Sequence, residues 1–400
     1  DIFAENYVVK STVSTITQSF SSGSTIFGDS NDDTHRFTGS LSISGSIGIK
    51  SDSRNNLFIG QNAGTGSGIG QSNTAIGIDA LTSPRGAESI VAIGRDAGKN
   101  ITKSSQSGVY SVLIGQGANY NNTGGSQNIA IGYYAGGHSS ASQTNAIIIG
   151  FQAADAGGGP TNSVVIGTGA FGSATGHAQY ITAVGQDAMK GSASTTTGIN
   201  GSVAIGHQSL YSITSGLNTA VGYEAGYGLT SGAGNTLLGY RAARSATDSV
   251  ASSVAIGYDA MYSNTDSTGN IAIGYFAMRD GAGGSSKDYN VAIGYAAMRN
   301  ASPHISIAIG ANAGQLLKNG AVGAIHIGHE AGRHASGSDN ISMGYNALKG
   351  TSSAPYATGE KNVAIGTQAI TALTSGGSNI AVGYQAGFLI SSGSNNTVMG

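Results

Sequence analysis

A unit close to Asn-Ile-Ala-Ile-Gly-Tyr-x-Ala-Gly recurs twenty times between Asn56 and Gly400. No other feature of this 400-residue chain constrains its fold as strongly. Anchored on the central glycine, neighbouring units are 16 to 22 residues apart, a mean period of about 18 residues. A short unit at near-constant spacing cannot bury a face alone, so it stacks as coils along an axis. The anchors include Gly77, Gly132, Gly206, Gly257, Gly274, Gly294 and Gly366. Polar, glycine-rich stretches between blocks, such as residues 190–201 and 349–361, read as loops of variable length.

With the anchor glycine as position 0, positions −3 and −1 carry Val, Ile, Leu or Thr, as in Val254 and Ile256 or Ile271 and Ile273. Position −2 is usually Ala, as at Ala204, Ala255 and Ala272. This period of two has unequal faces. The branched face is expected in a dry core, and the Ala face where a second wall comes close, as in lateral association of several chains. Position −4 is mostly Asn or Ser (Asn73, Asn128, Ser202, Asn270, Asn362), suited to local turn bonds or to a ladder along the coils. After the glycine corner the unit reads as a second short strand or a turn.

Composition narrows the function classes. Gly is 66 of 400 residues, which opposes a helical protein; it has no three-residue period, which excludes collagen. The formal net charge is −2 with only 10% charged residues, so there is no basic footprint for nucleic acid or a membrane surface. With no Cys there is no disulfide framework. No apolar stretch is long enough for a membrane helix. Residues 1–50 lack the repeat, and Phe37, Leu41, Ile43, Ile47 and Ile49 follow a period of two. The expected organisation is a thin β-structured N-terminal stalk or adaptor over 1–50 and an all-β parallel β-roll, or β-solenoid, of about 20 short coils over 51–400. Because Gly400 falls within a repeat, the chain is expected to continue in a longer protein.

Candidate sites are few. Tyr follows the anchor in eight blocks and on four consecutive coils, at Tyr240, Tyr258, Tyr275 and Tyr295. This is expected as an aromatic ladder covering the roll, the alternative being a stripe that stacks on sugars or a cell surface. His326, His329 and His334 form the densest histidine cluster, and His326 takes position −2. Were −2 to face a three-fold axis, three copies of His326 could hold a metal ion, a weak candidate beside a surface or stacked histidine. Asp29, Asn31 and Asp33 begin a calcium-loop pattern, but Thr34 and Ser40 break it, leaving a turn rich in Asx residues. No nucleophile–base pair, P-loop or HExxH motif occurs and no cofactor is implied, so a non-enzymatic role is expected. Asp187, Glu224 and Asp259 share position +2, which reads as a solvated edge. Asp79 and Asp96 in the same register leave a polysaccharide-cleaving solenoid as a minor alternative.

The blocks SVAIG at 202–206 and 253–257, NVAIG at 290–294 and 362–366, and NIAIG at 128–132 and 270–274 resemble the head repeats of trimeric autotransporter adhesins. That resemblance covers about 340 residues and implies a left-handed parallel β-roll with three chains around one axis. Here the coils are longer and more variable, and Tyr often follows the glycine. Residues 23–46 (GSTIFGDSNDDTHRFTGSLSISGS), followed by the AIGYxAG repeats, are similar to tail-fibre and appendage proteins of tailed bacteriophages. This second resemblance implies a homotrimeric virion fibre shaft ahead of a chaperone or receptor-binding part. Its partners would be itself, other fibre proteins at its ends and a host-surface glycan or protein. An adhesin head on a bacterial surface is the alternative.

Overall fold

The computed structural model describes residues 54–400, apart from 67, 84–85, 102–109, 139–142, 156–158, 174–177, 192–197, 247–249, 266, 282–287, 302, 318–320 and 352–355. The expectations for residues 1–50, including the stalk and the turn at Asp29, Asn31 and Asp33, lie outside the described residues. Every anchor glycine closes a strand, from β1 (Leu57–Ile59) to β20 (Thr397–Met399). All twenty join one parallel sheet in which each strand pairs with the next in sequence. Registers match repeat on repeat: Val254, Ala255 and Ile256 pair with Ile271, Ala272 and Ile273. The described residues thus form an all-β parallel solenoid. Nineteen steps at the usual strand spacing of about 4.8 Å make this unit a stack about 90 Å long.

The two faces of the strand are reversed from the sequence expectation. Position −2 points inward, and Ala75, Ala92, Ala130, Ala204, Ala255 and Ala272 are fully buried. The branched residues at −3 and −1 point out, with Ile129, Ile205, Ile365 and Ile380 each about two-fifths exposed. The reason is the size of the coil. A second row of alanines at +3 (Ala80, Ala97, Ala260, Ala277) is also fully buried, so two small-residue walls lie close together. Branched residues at both −3 and −1 would not fit between them.

Position +4 sets the remaining volume. Where −2 of the following coil is Ala, +4 can carry a large buried side chain such as Leu81, Met189, Leu210, Met261 or Leu348. Where −2 is large, a glycine yields the space. A Cβ on Gly226 would lie 2.8 Å from Leu237, and one on Gly98 would lie 2.9 Å from Leu113. The interior is filled by trading volume between the two positions.

The segment after the glycine is a continuous run of turns, not a second strand. Positions −5, +2 and +4 adopt positive φ on coil after coil, as at Ser252 (51°), Asp259 (52°) and Met261 (53°). A left-handed conformation costs a non-glycine residue about 1 kcal/mol or more. Here it aims backbone N–H groups along the stack axis. Ser252 and Asp259 donate to Ala233 and Tyr240 on the preceding coil, at 2.9 and 3.0 Å, and Met261 donates to Ala277 on the following one, at 2.9 Å. The turns are therefore hydrogen-bonded between coils as the strand is, which pairs backbone groups that the tight curvature would otherwise orphan.

The −4 residues form the expected ladder. Asn235 N–H donates to Asn218 Oδ1 at 3.0 Å, and Asn235 Oδ1 accepts from Ser253 N–H at 3.0 Å. Asn235 Nδ2 donates to the Val250 carbonyl at 2.8 Å. Ser253 continues the ladder by accepting from Asn270 N–H at 3.2 Å.

The anchor glycines stack in a column. Gly257 has φ of 133°, and a Cβ there would lie 2.5 Å from the Gly274 carbonyl oxygen. Gly257→Ala therefore meets both backbone strain and a backbone clash, and is expected to destabilise by at least about 3 kcal/mol. Gly234 has φ of 72° and its nearest neighbour would be 3.7 Å away. Gly234→Ala should cost only about 1 kcal/mol. Thermal unfolding of the two variants checks the contrast.

Candidate functional site

The outer side of the sheet carries the main candidate site. Its first part is the pair of aliphatic rows at −3 and −1. The second begins one residue past the glycine column, where the parallel register superposes each +1 side chain on the next. His207, Tyr223, Tyr240, Tyr258, Tyr275 and Tyr295 form one stack over six coils, with ring centroids 4.9–5.6 Å apart and interplanar angles of 3–15°. Tyr133 with Phe151, and His329 with Tyr345, are shorter stacks at the same position.

The structure therefore brings Tyr240, Tyr258, Tyr275 and Tyr295 together as an aromatic ladder, and each remains 40–52% exposed. Their ring faces are turned along the stack and cover one another. Solvent meets ring edges, not faces. A sugar stacks on an aromatic face, so within the stack the rows offer a hydrophobic edge rather than a set of stacking platforms. Sequence reading took only the tyrosines; His207 and Phe151, at the same +1 position, extend the rows.

A charged edge runs beside the ladder, in which an acid at +2 recurrently pairs with a base at +5 of the next coil. Asp79 with Lys99 (3.3 Å), Glu224 with Arg244, Asp259 with Arg279 (3.2 Å) and Glu330 with Lys349 all follow this pattern. Asp259 also receives a two-pronged contact from Arg241, at 2.9 Å for each nitrogen. The Arg241 guanidinium lies 5.0 Å from the Tyr240 ring centroid and 4.9 Å from that of Tyr262. Its hydrogen bond to Asp259 raises its pKa further above the ordinary arginine range.

The +2 carboxylates are thus not a freely solvated edge. The Asp259 side chain is only 1% exposed and that of Glu224 11%. Asp79 and Asp96, considered above as a carboxylate pair, are bridged by the Lys99 ammonium at 3.3 and 2.7 Å. The Asn62 amide, and after it Lys99, holds the Asp79 carboxyl below its ordinary range. Carboxylates tied to cations in this way are poor candidates for general acid or base.

His326 lies inside the roll. It is fully buried, its Nδ1 is 2.8 Å from Ser342 Oγ, and its Nε2 has no partner. Because −2 faces inward, copies of His326 from separate chains cannot meet on a shared axis, and the metal reading loses its geometry. Among the described residues, no three His, Asp or Glu side chains converge as a metal site, and no helix is long and apolar enough to cross a membrane. No known protein family, curated protein or solved structure matches the chain.

Asp259→Ala leaves Arg241 and Arg279 without their shared carboxylate. The expected cost is about 2–3 kcal/mol, the scale of charge-assisted hydrogen bonds. Urea unfolding of this variant beside wild type measures it.

Proposed function

We propose that this chain is a structural, non-enzymatic shaft in which three copies associate laterally through their outer aliphatic rows. The observation that carries this reading is the outward placement of −3 and −1 on coil after coil. Each coil already has a filled interior, so these side chains are surplus to the fold of a single chain. They form a strip about 90 Å long and about 7 Å wide, before the aromatic row is added. A monomeric protein rarely exposes a contiguous apolar patch above a few hundred Å². Another copy of the chain has the same spacing between rows and the same length, and can cover the strip throughout. The number three rests on the likeness of the SVAIG and NIAIG blocks to adhesin heads.

The similarity of residues 23–46 to tail-fibre proteins favours a bacteriophage tail fibre or appendage, with the chain on the virion. Its mechanical role is to hold an attachment part at a distance, and host-surface glycan or protein would be met there or at the variable loops. Paired carboxylates on the charged edge support a load-bearing role over polysaccharide cleavage. The head of a bacterial surface adhesin is the second reading, favoured by the same repeat blocks.

Light scattering of the purified chain should give a mass three times 39.6 kDa. Ile205→Lys, which places a charge on the outer row, should shift the mass toward the monomer while leaving the β-sheet circular dichroism unchanged. A compact wild-type monomer would overturn lateral association.

A further inference from the structure

One junction in the stack differs from the rest. The hydrophobic core is continuous from Ala63 to Ala324 and then divides, with a separate cluster beginning at Ala335. The division falls at coil 16: Ala324, just before β16 (Ile325–Ile327), belongs to the first cluster, and Ala335, between β16 and β17 (Ile341–Met343), to the second. Here the two inward −2 residues are His326 and Ser342, paired directly across the strands. The −4 ladder also lapses, because Ala324 has no side-chain acceptor for Asn340. It lapses after Ile90, Ala146 and Ile181 as well, but only after Ala324 does the core divide.

The turn that follows β16 adds a second buried histidine. His334 is 5% exposed, its ring stacks on Tyr356, and its Nδ1 has no partner. The site around His326 is shaped to the ring. A Cβ on Gly332 would overlap the imidazole, and one on Gly314 would lie 3.3 Å from it. Leucine serves at the same −2 position elsewhere, as with Leu237 beside Gly226. The packing at coil 16 therefore does not itself require a titratable group.

We propose that the contact between coils 16 and 17 is an acid-operated joint: when His326 and His334 take up protons, the coils beyond it part from the stack before any other pair of coils separates. Among the described residues, a charged His326 imidazolium has no counter-ion at this level of the interior. Ser342, Gly314, Gly332, Ala308 and Leu317 are neutral. The charged groups of the surrounding turns are Glu330, Arg333 and Lys349, with His329 and Asp339 beyond them. Arg333 and Lys349 oppose protonation of His334, whose pKa is lowered first by burial and then by these two cations; Glu330 acts in the opposite sense.

Burial alone lowers the His326 pKa to about 4. A group whose folded pKa is depressed below its ordinary 6.5 stabilises fully above 6.5, and that stability is lost as the pH falls toward 4. Glu330 closes the outside of the joint through Lys349. Burial pushes the Glu330 pKa up, but Lys349 and Arg333 outweigh it and the net shift is downward. With its carboxyl held below the ordinary range, this clasp outlasts a free glutamate as the pH falls.

Hydrogen exchange of the full chain between pH 7 and pH 4 tests the joint, with each rate referenced to the unfolded chain at the same pH. The amides that cross it are Ile325 to Asn340, Gly332 to Ala347, Gly344 to Ile327 and Asn346 to His329. Their protection should fall by about 80-fold between pH 6.5 and 4, while Gly274 and Phe276, bonded to Ile256 and Tyr258, stay protected. His326→Leu should remove most of the pH dependence. Equal loss at both sets of amides in wild type, or an unchanged pH dependence in His326→Leu, would overturn the proposal. Neither outcome depends on how many chains associate.

Discussion

Hydrogen bonding between adjacent coils is the constraint from which the rest of the structure follows. Each coil is too small to hold itself together, so nearly every backbone group that curvature would orphan must be aimed up or down the axis. Left-handed backbone at −5, +2 and +4 achieves this, and Ser252, Asp259 and Met261 show the alternation of direction within one coil. Coils bonded along their whole path sit at strand spacing. That spacing forces the glycine column, because a Cβ on Gly257 would strike the Gly274 carbonyl. It also brings the Tyr240 and Tyr258 rings to 4.9 Å. The ladders of asparagine, of aromatic rings and of ion pairs are consequences of one repeat distance.

The register of the fold was legible because the repeat is local. Each anchor glycine, Gly77 and Gly366 included, closes a strand as expected, and position −4 forms the expected ladder. Which way the strand faces was not legible. A period of two does not say which of its faces is inside, and the usual preference for burying Ile over Ala points the wrong way when the cavity is two alanines wide. The left-handed turns were hidden for another reason: residues as different as Asp259, Arg241 and Phe276 hold the same conformation at +2, so side-chain chemistry carries no signal of it. The volume exchange between −2 and +4 could have been found in sequence, since Leu113 and Leu237 each pair with a nearby glycine.

The candidate surface was partly legible. The tyrosine stripe was found in the correct register, and its mutual stacking follows from the parallel sheet. Within the stack the rings show edges rather than faces to solvent, which does not favour a set of sugar platforms there. His326 was recognised as a departure from the repeat, but its meaning changed with the direction of −2. On an outward face it would be a ligand candidate. On the inward face it is a buried ring with one nitrogen bonded to Ser342 and the other without a partner, in a dry column where a proton rather than a metal ion is the chemically relevant visitor.

An interior completed by alanine and an exterior lined by branched aliphatics make a chain that folds coil on coil and then has its most apolar surface left over. The most direct test of that arrangement uses the absence of cysteine from the sequence. Thiol labelling would compare Ala364→Cys, at an inward position, with Ile365→Cys, at the adjacent outward one. If the outer rows are covered by other copies as proposed, neither thiol should react in the native protein. When mild denaturant separates the chains without unfolding the coils, the thiol at 365 should become reactive and the thiol at 364 should not. Free reaction at 365 in the native protein would show the outer face to be open, and earlier reaction at 364 would reverse the two faces of the strand.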